Sequence, residues 1–430
     1  MVAGFFFWIF GQLLEGSDER DQGHGAIQEG IIVSNARTRG ELILRKNEER
    51  RILAGHKWVF SNEVHRLEGE GGPPLLVDVR SSSGRLLGTG IYNPHSLIAV
   101  RLLDGRVGEF SDYLRDRINA AIEMRRALGG ITSSSAERLV HSEADGLPGL
   151  VVDRYGDYLS VQITTRTMEM HEDTILGLLS SSLRPGGIRV DRNLKAREVE
   201  GLEIEADHFV GDVPHEVEVC LGDTPLCFPL REGQKTGLFL DQKDNVRNLA
   251  PFLNQENVLD AFCYVGGWSS AILRQERVVQ VTGVDSSERA MAFYRKNTGG
   301  SSKSVLPVCS DFLDWGKDAY KQGRRYEGIV IDPPAFIKSR RLMKEGLEGY
   351  YGIFRLGVSL LAKQGVLVAC SCSALLEWDD FAGILRSVFK KEGKKASMFY
   401  QGRAAWDHPR LLSMPELDYL KCAAFWVEDL

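Results

Sequence analysis

Hydrophobic and polar residues alternate along the first part of the chain. Between about residues 39 and 103, Leu and β-branched residues alternate with polar ones, and Gly84, Gly88 and Gly90 interrupt the pattern. A period of two predicts half-buried β-strands, and glycines inside such a pattern mark turns or bulges. We therefore predict a small, β-rich, barrel-like domain in this part of the chain.

The next stretch, up to about residue 230, mixes helical and strand-like periods. Apolar residues recur at helical spacing over residues 111–128, and Ser111 is a suitable N-cap. Within residues 151–165, two strand-like runs flank the turn formed by residues 155–157, a pattern typical of a β-hairpin. A second helix near residues 169–180 and further strands follow. We predict an α+β middle domain.

Short apolar runs and helical patterns alternate from residue 231 to the end of the chain. The runs carry Asp, Ser or Cys at or near their ends; they are NVLDAF, VTGVDS, YEGIVIDPP and GVLVACSCS. Helical patterns such as SSERAMAFYRKN and YYGIFRLGVSLLAK lie between them. This alternation predicts an α/β, Rossmann-like domain with a doubly wound, mostly parallel sheet. Ligands of such sheets bind beyond the carboxyl ends of the strands, so the polar residues there are candidate site residues.

Composition narrows the class of protein. A chain of 430 residues exceeds one ordinary hydrophobic core, so two or three domains are expected. The net charge of −6 means that any binding to nucleic acid must use a local basic face. The seven cysteines are scattered, without a CxxC pair or zinc spacing. We therefore expect no metal site and a reducing compartment, the cytoplasm.

The N-terminal extension, residues 1–38, differs from the rest. It begins with the apolar run MVAGFFFWIFGQLL, which is too short to span a bilayer as a helix. Its first basic residue is Arg20, so a secretory signal also fits poorly. We expect a packed extension or a segment outside the fold, rather than stable membrane insertion, and leave its role unassigned.

A glycine pair after the first strand of the α/β domain indicates a cofactor site. The segment DAFCYVGG ends in Gly266 and Gly267, and Asp285 closes the next strand 19 residues after Gly266, where an acid can accept hydrogen bonds from ribose hydroxyls. A dinucleotide would require a further glycine to place its pyrophosphate, and none follows. S-adenosylmethionine has no phosphate, so the pattern favours this methyl donor. A turn alone could explain the glycines; Asp285, and Asp311 after the following strand, strengthen the cofactor interpretation.

Two later strand ends indicate a reaction centre. Asp332 is followed by Pro333 and Pro334, which stop the strand and stiffen the loop. Cys372 lies at the end of the next predicted strand, and a thiol there could add to C6 of a pyrimidine and activate C5 for methylation. Alternation would leave Cys372 on the same side as Cys370, so the strand is predicted to end or bend before Ser371. The alternative is structural: a capping carboxylate and an inert thiol.

Together these motifs resemble the PUA-domain class I methyltransferases that modify cytosine C5 in large-subunit ribosomal RNA. The similar segments run from about residue 39 to the C-terminus: HKWVFSNEV, GTGIYNPHSLIAVRLL, EADGLPGLVVDRYGD, GQKTGLFLDQKDNVR, DAFCYVGG, DPPAF and SCS. The resemblance implies a PUA-like RNA-binding domain at residues 39–108, the middle domain at 109–230 and the methyltransferase domain at 231–430.

The resemblance also implies roles for individual residues. Cys372 would be the nucleophile, and Asp332 would act with it on the base. Residues implied to hold S-adenosylmethionine are Lys235, Thr236, Phe239, Asp241, Asp260, Phe262, Tyr264, Gly266, Asp285, Ser286, Asp311, Phe312 and Asp332. Residues implied to bind the RNA substrate are Pro333, Pro334, Phe336, Lys338 and Arg340. Many cytosine-C5 enzymes of RNA carry a second cysteine after Asp-Pro-Pro; this chain has Ala335 there, as does the large-subunit group.

Three alternatives remain open at this point. Uracil-C5 enzymes place their nucleophile in a similar late Ser-Cys segment, so the pyrimidine is not settled. The same fold could methylate an exocyclic amine or guanine N7 without covalent catalysis, with Phe336 stacked on the base. A third alternative is an RNA-binding assembly factor without chemistry. The partner is RNA in each case, and a homodimer is left open.

Overall fold

The first sheet of the computed structural model confirms the β-rich N-terminal domain. The structure describes residues 39–69, 76–129, 135–233, 236–337 and 339–430; the extension 1–38, Lys235 and Lys338, for which we made predictions, lie outside them. The elements are β1 (Arg39–Leu44), α1 (Arg50–Leu53), β2 (Trp58–Phe60), β3 (Val64–Glu68), β4 (Leu76–Arg80), β5 (Leu86–Tyr92) and β6 (Ile98–Leu102). The strand order is β2-β6-β5-β4-β1-β3, and only the β1–β4 pair is parallel.

The middle region is α+β, as predicted. Its elements are α2 (Phe110–Leu128), β7 (Ala136–His141), β8 (Leu150–Tyr155), β9 (Tyr158–Ile163), α3 (Arg166–Glu169), α4 (Glu172–Leu183), β10 (Gly187–Asp191), α5 (Lys195–Glu198), β11 (His208–Gly211), β12 (Glu216–Leu221) and β13 (Thr224–Pro229). Five strands form a sheet in the order β11-β10-β9-β8-β7, and β12 and β13 form a hairpin. The predicted hairpin at residues 155–157 is confirmed. The predicted cap was wrong, because helix α2 begins one residue before Ser111 and Glu109 is its N-cap.

The last part of the chain forms a seven-stranded, mostly parallel sheet. Its strands are β14 (Asn257–Ala261), β15 (Gln280–Asp285), β16 (Ser304–Cys309), β17 (Tyr326–Ile331), β18 (Leu361–Ser371), β19 (Lys394–Gly402) and β20 (Lys421–Asp429). Its helices are α6 (Lys243–Leu249), α7 (Gly267–Ile272), α8 (Glu288–Thr298), α9 (Phe312–Lys321), α10 (Met343–Ser359) and α11 (Trp378–Lys391). The order is β16-β15-β14-β17-β18-β20-β19, and β20 is antiparallel to both of its neighbours.

Alternation inside the central strands explains why helices cover both faces of this sheet. In β17, Ile329 and Ile331 belong to the core on one face, and Val330 belongs to the core on the other. All three side chains are fully buried. A strand that is apolar at every position is stable only between two helical layers.

Short 3₁₀ turns lie between the other elements, at Ser61–Glu63, Ser142–Asp145, Leu240–Gln242, Ala250–Phe252, Arg340–Leu342 and Pro415–Leu417.

Buried polar contacts hold the first sheet against the rest of the protein. The Trp58 indole Nε1 donates to Glu143 Oε1 over 3.0 Å. The Arg101 guanidinium donates to Glu200 Oε1 over 2.6 Å, and both side chains are almost completely buried. Removing one partner of the Arg101–Glu200 ion pair would leave the other charge buried and unpaired, which is strongly destabilising. These contacts therefore attach the first sheet firmly to the rest of the protein.

A second buried cluster, centred on Asp407, joins the middle region to the last sheet. Asp407 Oδ2 accepts from Lys243 Nζ over 2.5 Å and from the Arg138 backbone N–H over 2.9 Å, while Oδ1 lies 2.9 Å from His408 Nδ1. Burial alone would raise the pKa of Asp407, but His408 and Lys243 outweigh it and hold this pKa well below its usual value. The carboxylate is therefore charged at neutral pH inside the protein.

An Asp407→Ala protein is expected to lose about 3–5 kcal/mol of unfolding free energy at pH 7, because Lys243 stays buried without its counter-charge. The stabilisation is present above the unfolded pKa of Asp, about 4, and is lost as the pH falls, because the folded pKa is the lower one. Urea unfolding at several pH values measures both effects. Asp318→Ala, which removes an exposed carboxylate on α9, is the control and should change little. An equally small change in Asp407→Ala would contradict the prediction.

Candidate active site

The carboxyl ends of the parallel strands bring the predicted site residues to one edge of the sheet. Strands β14, β15, β17 and β18 are neighbours in parallel register. Asp285 is the last residue of β15, Asp332 directly follows β17, and Cys372 directly follows β18. The two predicted centres, one for the cofactor and one for the reaction, therefore share this edge.

The loop after β14 has an unusual backbone. Phe262 and Tyr264 have positive φ angles of 65° and 49°, and Gly266 has a φ of 93°. The loop is held by the next strand, since the Phe262 N–H donates to Val284 O over 2.8 Å and the Tyr264 N–H donates to Asp285 Oδ2 over 3.0 Å. Non-glycine residues with positive φ are uncommon and cluster at ligand sites. The strain is therefore an independent indication of a binding loop.

Aromatic side chains that the sequence analysis assigned to the cofactor site surround this loop. The Phe239 ring packs edge-on against Tyr264 with centroids 5.1 Å apart, and the Phe262 and Phe312 rings lie 5.3 Å apart. Ser286 is exposed immediately beyond the half-buried Asp285. Phe239, Phe262, Phe312, Tyr264 and Asp285 are thus brought together.

Asp260 lies beneath the same loop and is completely buried. Its Oδ2 accepts from the Ser269 N–H over 3.0 Å and from the Ser269 hydroxyl over 2.6 Å, while Oδ1 has no partner among the described residues. Burial raises the pKa of Asp260 to about 7, against the opposing effect of these hydrogen bonds. The strained loop, the acid at the end of β15 and this unsatisfied acceptor all fit S-adenosylmethionine.

Three other predicted cofactor residues have structural partners. The Thr236 side chain interacts with the Tyr155 hydroxyl of the middle region. Asp241 Oδ2 accepts from the Tyr419 hydroxyl over 2.9 Å. Asp311 caps helix α9, since its Oδ1 accepts from the N–H groups of Leu313 and Asp314 over 2.8 and 3.2 Å. These contacts position the surrounding loops.

Two side chains that the sequence analysis did not single out hold Asp332. The Gln242 amide Nε2 donates to Asp332 Oδ1 over 3.0 Å, and the Trp268 indole Nε1 donates to Oδ2 over 3.3 Å. Both donors fix the carboxylate in one orientation between the cofactor loop and β17. Gln242 lies in the GQKTGLFLDQKDNVR segment and Trp268 follows the glycine pair, so both were within motifs already noted.

Cys372 faces the Asp-Pro-Pro corner. Its Sγ lies 3.8 Å from the Pro333 carbonyl oxygen, and the side chain is partly exposed. Cys370 is completely buried and packs in the core, as predicted. Strand β18 continues through Ser371, one residue further than predicted, and Cys372 is the first residue beyond it.

Tyr350 of α10 ties the two loops together. Its hydroxyl accepts from Ser371 Oγ over 2.9 Å and lies 2.8 Å from Ser373 Oγ, which accepts from the Ile337 N–H over 3.2 Å. The Phe336 ring packs edge-on against the Tyr350 ring at 5.0 Å. The residues on both sides of Cys372 are therefore fixed relative to the loop after Asp332.

A cavity of about 870 Å³ lies near the carboxyl end of β18, where Ala374 and Lys421 contribute to its wall. Arg340, a predicted substrate residue, contributes to its wall, and Pro334 is exposed on the loop leading to it. Its other lining residues include Met343, Ala374, Leu375, Glu377, Trp378, Arg403, Arg410, Asp418 and Lys421. In the part of the chain that the structure describes, no group of three or more His, Cys, Asp or Glu residues could hold a metal ion, and no helix is long and apolar enough to cross a membrane.

The fold is that of the S-adenosylmethionine-dependent methyltransferases. A SAM-dependent methyltransferase from Streptococcus mutans superposes with a TM-score of 0.76 at 19% identity, covering 90% of this chain and 99% of its own. A methyltransferase structure solved with S-adenosylhomocysteine superposes with the same TM-score at 20% identity and the same coverage. A family described as a PUA-like domain matches residues 42–104.

Sequence relatives identify the particular family. The ribosomal RNA large subunit methyltransferase I of Erwinia tasmaniensis is 30% identical over 386 residues, which are 88% of this chain and 97% of that protein. The protein of the same name from Pseudoalteromonas atlantica is 29% identical over 384 residues, with the same coverage. The chain belongs to the ribosomal RNA large subunit methyltransferase I family, and it is an S-adenosylmethionine-dependent methyltransferase.

Proposed function

We propose that this enzyme forms 5-methylcytosine in large-subunit ribosomal RNA through a covalent adduct between Cys372 and C6 of the base. The observation that carries the proposal is the position of the Cys372 sulfur, 3.8 Å from the Pro333 carbonyl beside the fixed carboxylate of Asp332. The family relatives act on large-subunit ribosomal RNA by name, and the PUA-like domain supports an RNA partner. The scattered cysteines, which are typical of a reducing compartment, support a cytoplasmic location.

We assign the cofactor to the strained loop after β14. Phe262, Tyr264 and Gly266 would line it, Asp285 would accept from the ribose hydroxyls, and Phe239 would cover it from the side. When bound, S-adenosylmethionine supplies an electrophilic methyl group on a sulfonium. Lys235 and Lys338 stay sequence predictions, for the cofactor and for RNA phosphates respectively. The domain limits 39–108, 109–230 and 231–430 are part of the same proposal.

The chain's own residues would perform the following chemistry. The target base leaves its stack, at a cost of a few kcal/mol, and enters the active site beside Cys372. The thiolate bonds to C6, and the electron pair of the C5–C6 bond makes C5 nucleophilic toward the donated methyl group. Asp332 and the Pro333 carbonyl hold the amino edge of the base. Loss of the C5 proton to a base and cleavage of the S–C6 bond then release methylated RNA.

Comparison of ribosomal RNA from cells with and without the gene tests the target. Bisulfite sequencing and mass spectrometry should show one cytosine of the large-subunit RNA that is methylated at C5 only when the gene is present. Re-expression of the gene should restore the mark. Loss of a methylated uracil, guanine or exocyclic amine instead would replace the cytosine assignment. No change in any RNA would leave only a binding role.

A further inference from the structure

A buried lysine, Lys421, lies close to the nucleophile and has no carboxylate oxygen within ion-pair distance among the described residues. Lys421 is the first residue of β20 and pairs with Ser371 in the antiparallel ladder, one position before Cys372. Its side chain is only 7% exposed, and it lines the cavity of about 870 Å³ together with Ala374. Lysines are rarely buried this deeply unless their charge is compensated.

Among the described residues, the hydrogen bonds of Lys421 account for two of the three N–H donors of its ammonium group. Its Nζ donates to the Ser373 carbonyl over 3.1 Å and to the Tyr419 carbonyl over 3.2 Å. An ammonium group has three donors. Within the described residues, no carboxylate oxygen lies within the 4.0 Å ion-pair distance of this nitrogen. The charge is held in place next to Cys372 by backbone carbonyls, and those carbonyls do not neutralise it.

The contact of Cys372 with the Pro333 carbonyl oxygen opposes ionisation of the thiol. The Pro333 carbonyl oxygen accepts the S–H hydrogen and so favours the neutral thiol. Burial lowers the pKa of Lys421 to about 8, against the attraction of Asp418, Cys372 and Glu377. Lys421, Tyr350 and Tyr419 each interact electrostatically with Cys372. Of these three, only Lys421 is cationic.

We propose that Lys421 is a positioning residue for Cys372, whose ammonium charge stabilises the thiolate that attacks the pyrimidine. The inference rests on the proposed function in which Cys372 is the nucleophile. The thiol proton leaves to solvent before the attack, and the ammonium group keeps its three protons. The bond that forms and later breaks is the S–C6 bond, as above.

Alkylation of the thiol tests this inference without RNA or cofactor. The full-length protein is treated with iodoacetamide between pH 5 and 10, and modification of Cys372 is followed by peptide mass spectrometry. An opposite charge at short range lowers a pKa by about one unit or more, so Lys421→Met should slow alkylation of Cys372 about tenfold at pH 7 and move its midpoint up by about one pH unit. Lys421→Arg should restore most of the rate. Lys395→Met removes an exposed lysine of the same sheet and should leave the rate unchanged.

Each outcome separates this inference from the proposed function. If Lys421→Met fails to fold, a Cys372 midpoint in the unmodified protein above the ordinary thiol value, about 8.5, overturns the role of Lys421. Equal alkylation rates in folded Lys421→Met and in the unmodified protein also overturn it. So does an equal loss of alkylation rate in Lys421→Arg and Lys421→Met when both variants have a lower melting temperature. Absence of an adduct with 5-fluorocytidine RNA, with the alkylation result intact, counts against the proposed function instead.

Discussion

A Cys372→Ala protein is expected to lose methyl transfer to ribosomal RNA by a factor on the order of 10⁴ or more, because the methyl side chain of alanine cannot add to C6 of the base. The nearest sulfur along the strand, Cys370, is completely buried in the core. Affinity for S-adenosylmethionine should change little, since the strained loop and Asp285 belong to other strands. Methyl incorporation into unmodified ribosomal RNA and calorimetric titration with the cofactor measure the two quantities.

The adduct itself gives a second measurement. When the target nucleotide is 5-fluorocytidine, the fluorine at C5 cannot leave as a proton does, and the adduct is not released. The unmodified protein should therefore accumulate a denaturation-resistant complex with this RNA, and Cys372→Ala should form none. The control is Cys220→Ala, which removes a partly exposed sulfur in β12 of the middle region and should retain full activity. Full activity in Cys372→Ala would favour methylation of an exocyclic amine or of guanine N7 without a covalent step.

An Asp332→Asn protein is expected to lose about 10²- to 10³-fold in kcat, because proton-handling and charged contacts at the reacting base contribute on this scale. Both oxygens of Asp332 accept from fixed donors, Gln242 Nε2 and Trp268 Nε1. The amide of the Asp332→Asn protein would place its NH₂ group against one of these two donors. The side chain would therefore rotate out of this orientation and would no longer accept a hydrogen bond from the base.

Steady-state kinetics on ribosomal RNA distinguish this effect from loss of binding. The fall should appear mainly in kcat, with the KM for RNA changed by less than about threefold, because phosphate contacts elsewhere provide most of the affinity for RNA. Asp318→Asn, on the exposed face of α9, serves as the matched control. An unchanged kcat in Asp332→Asn would remove this carboxylate from the reaction.

The juxtaposition of Cys372 and Asp332 could be predicted because it follows from local rules. Apolar runs of the right length predicted the central strands, and the carboxyl ends of adjacent parallel strands must meet at one edge. The proximity of Asp285 to the glycine loop follows in the same way. These positions need only the strand pattern and the sheet type.

Other features depend on contacts far apart in sequence. Gln242 binds Asp332 across 90 positions, and no periodicity encodes such a pair. The partners of Thr236 and Asp241 are equally remote. The helical pattern YYGIFRLGVSLLAK extends past the observed helix end at Ser359, because pairing with β17 and β20 draws residues from Leu361 onward into strand β18. Here the sheet overrides local helix preference.

The attachment of the first sheet has a mechanical consequence. Trp58 and Arg101 reach into the body of the protein and end on the buried acids Glu143 and Glu200. A hinge would require these groups to part in a nearly dry interior, and each separated charge would then have no partner. We therefore expect the distance between the PUA-like sheet and the sulfur of Cys372 to stay nearly constant when the enzyme binds its substrate. An RNA whose folded shape already matches the distance between the PUA-like sheet and the Cys372 sulfur should therefore be the preferred substrate. Any other RNA would have to bend before its target base could reach the sulfur.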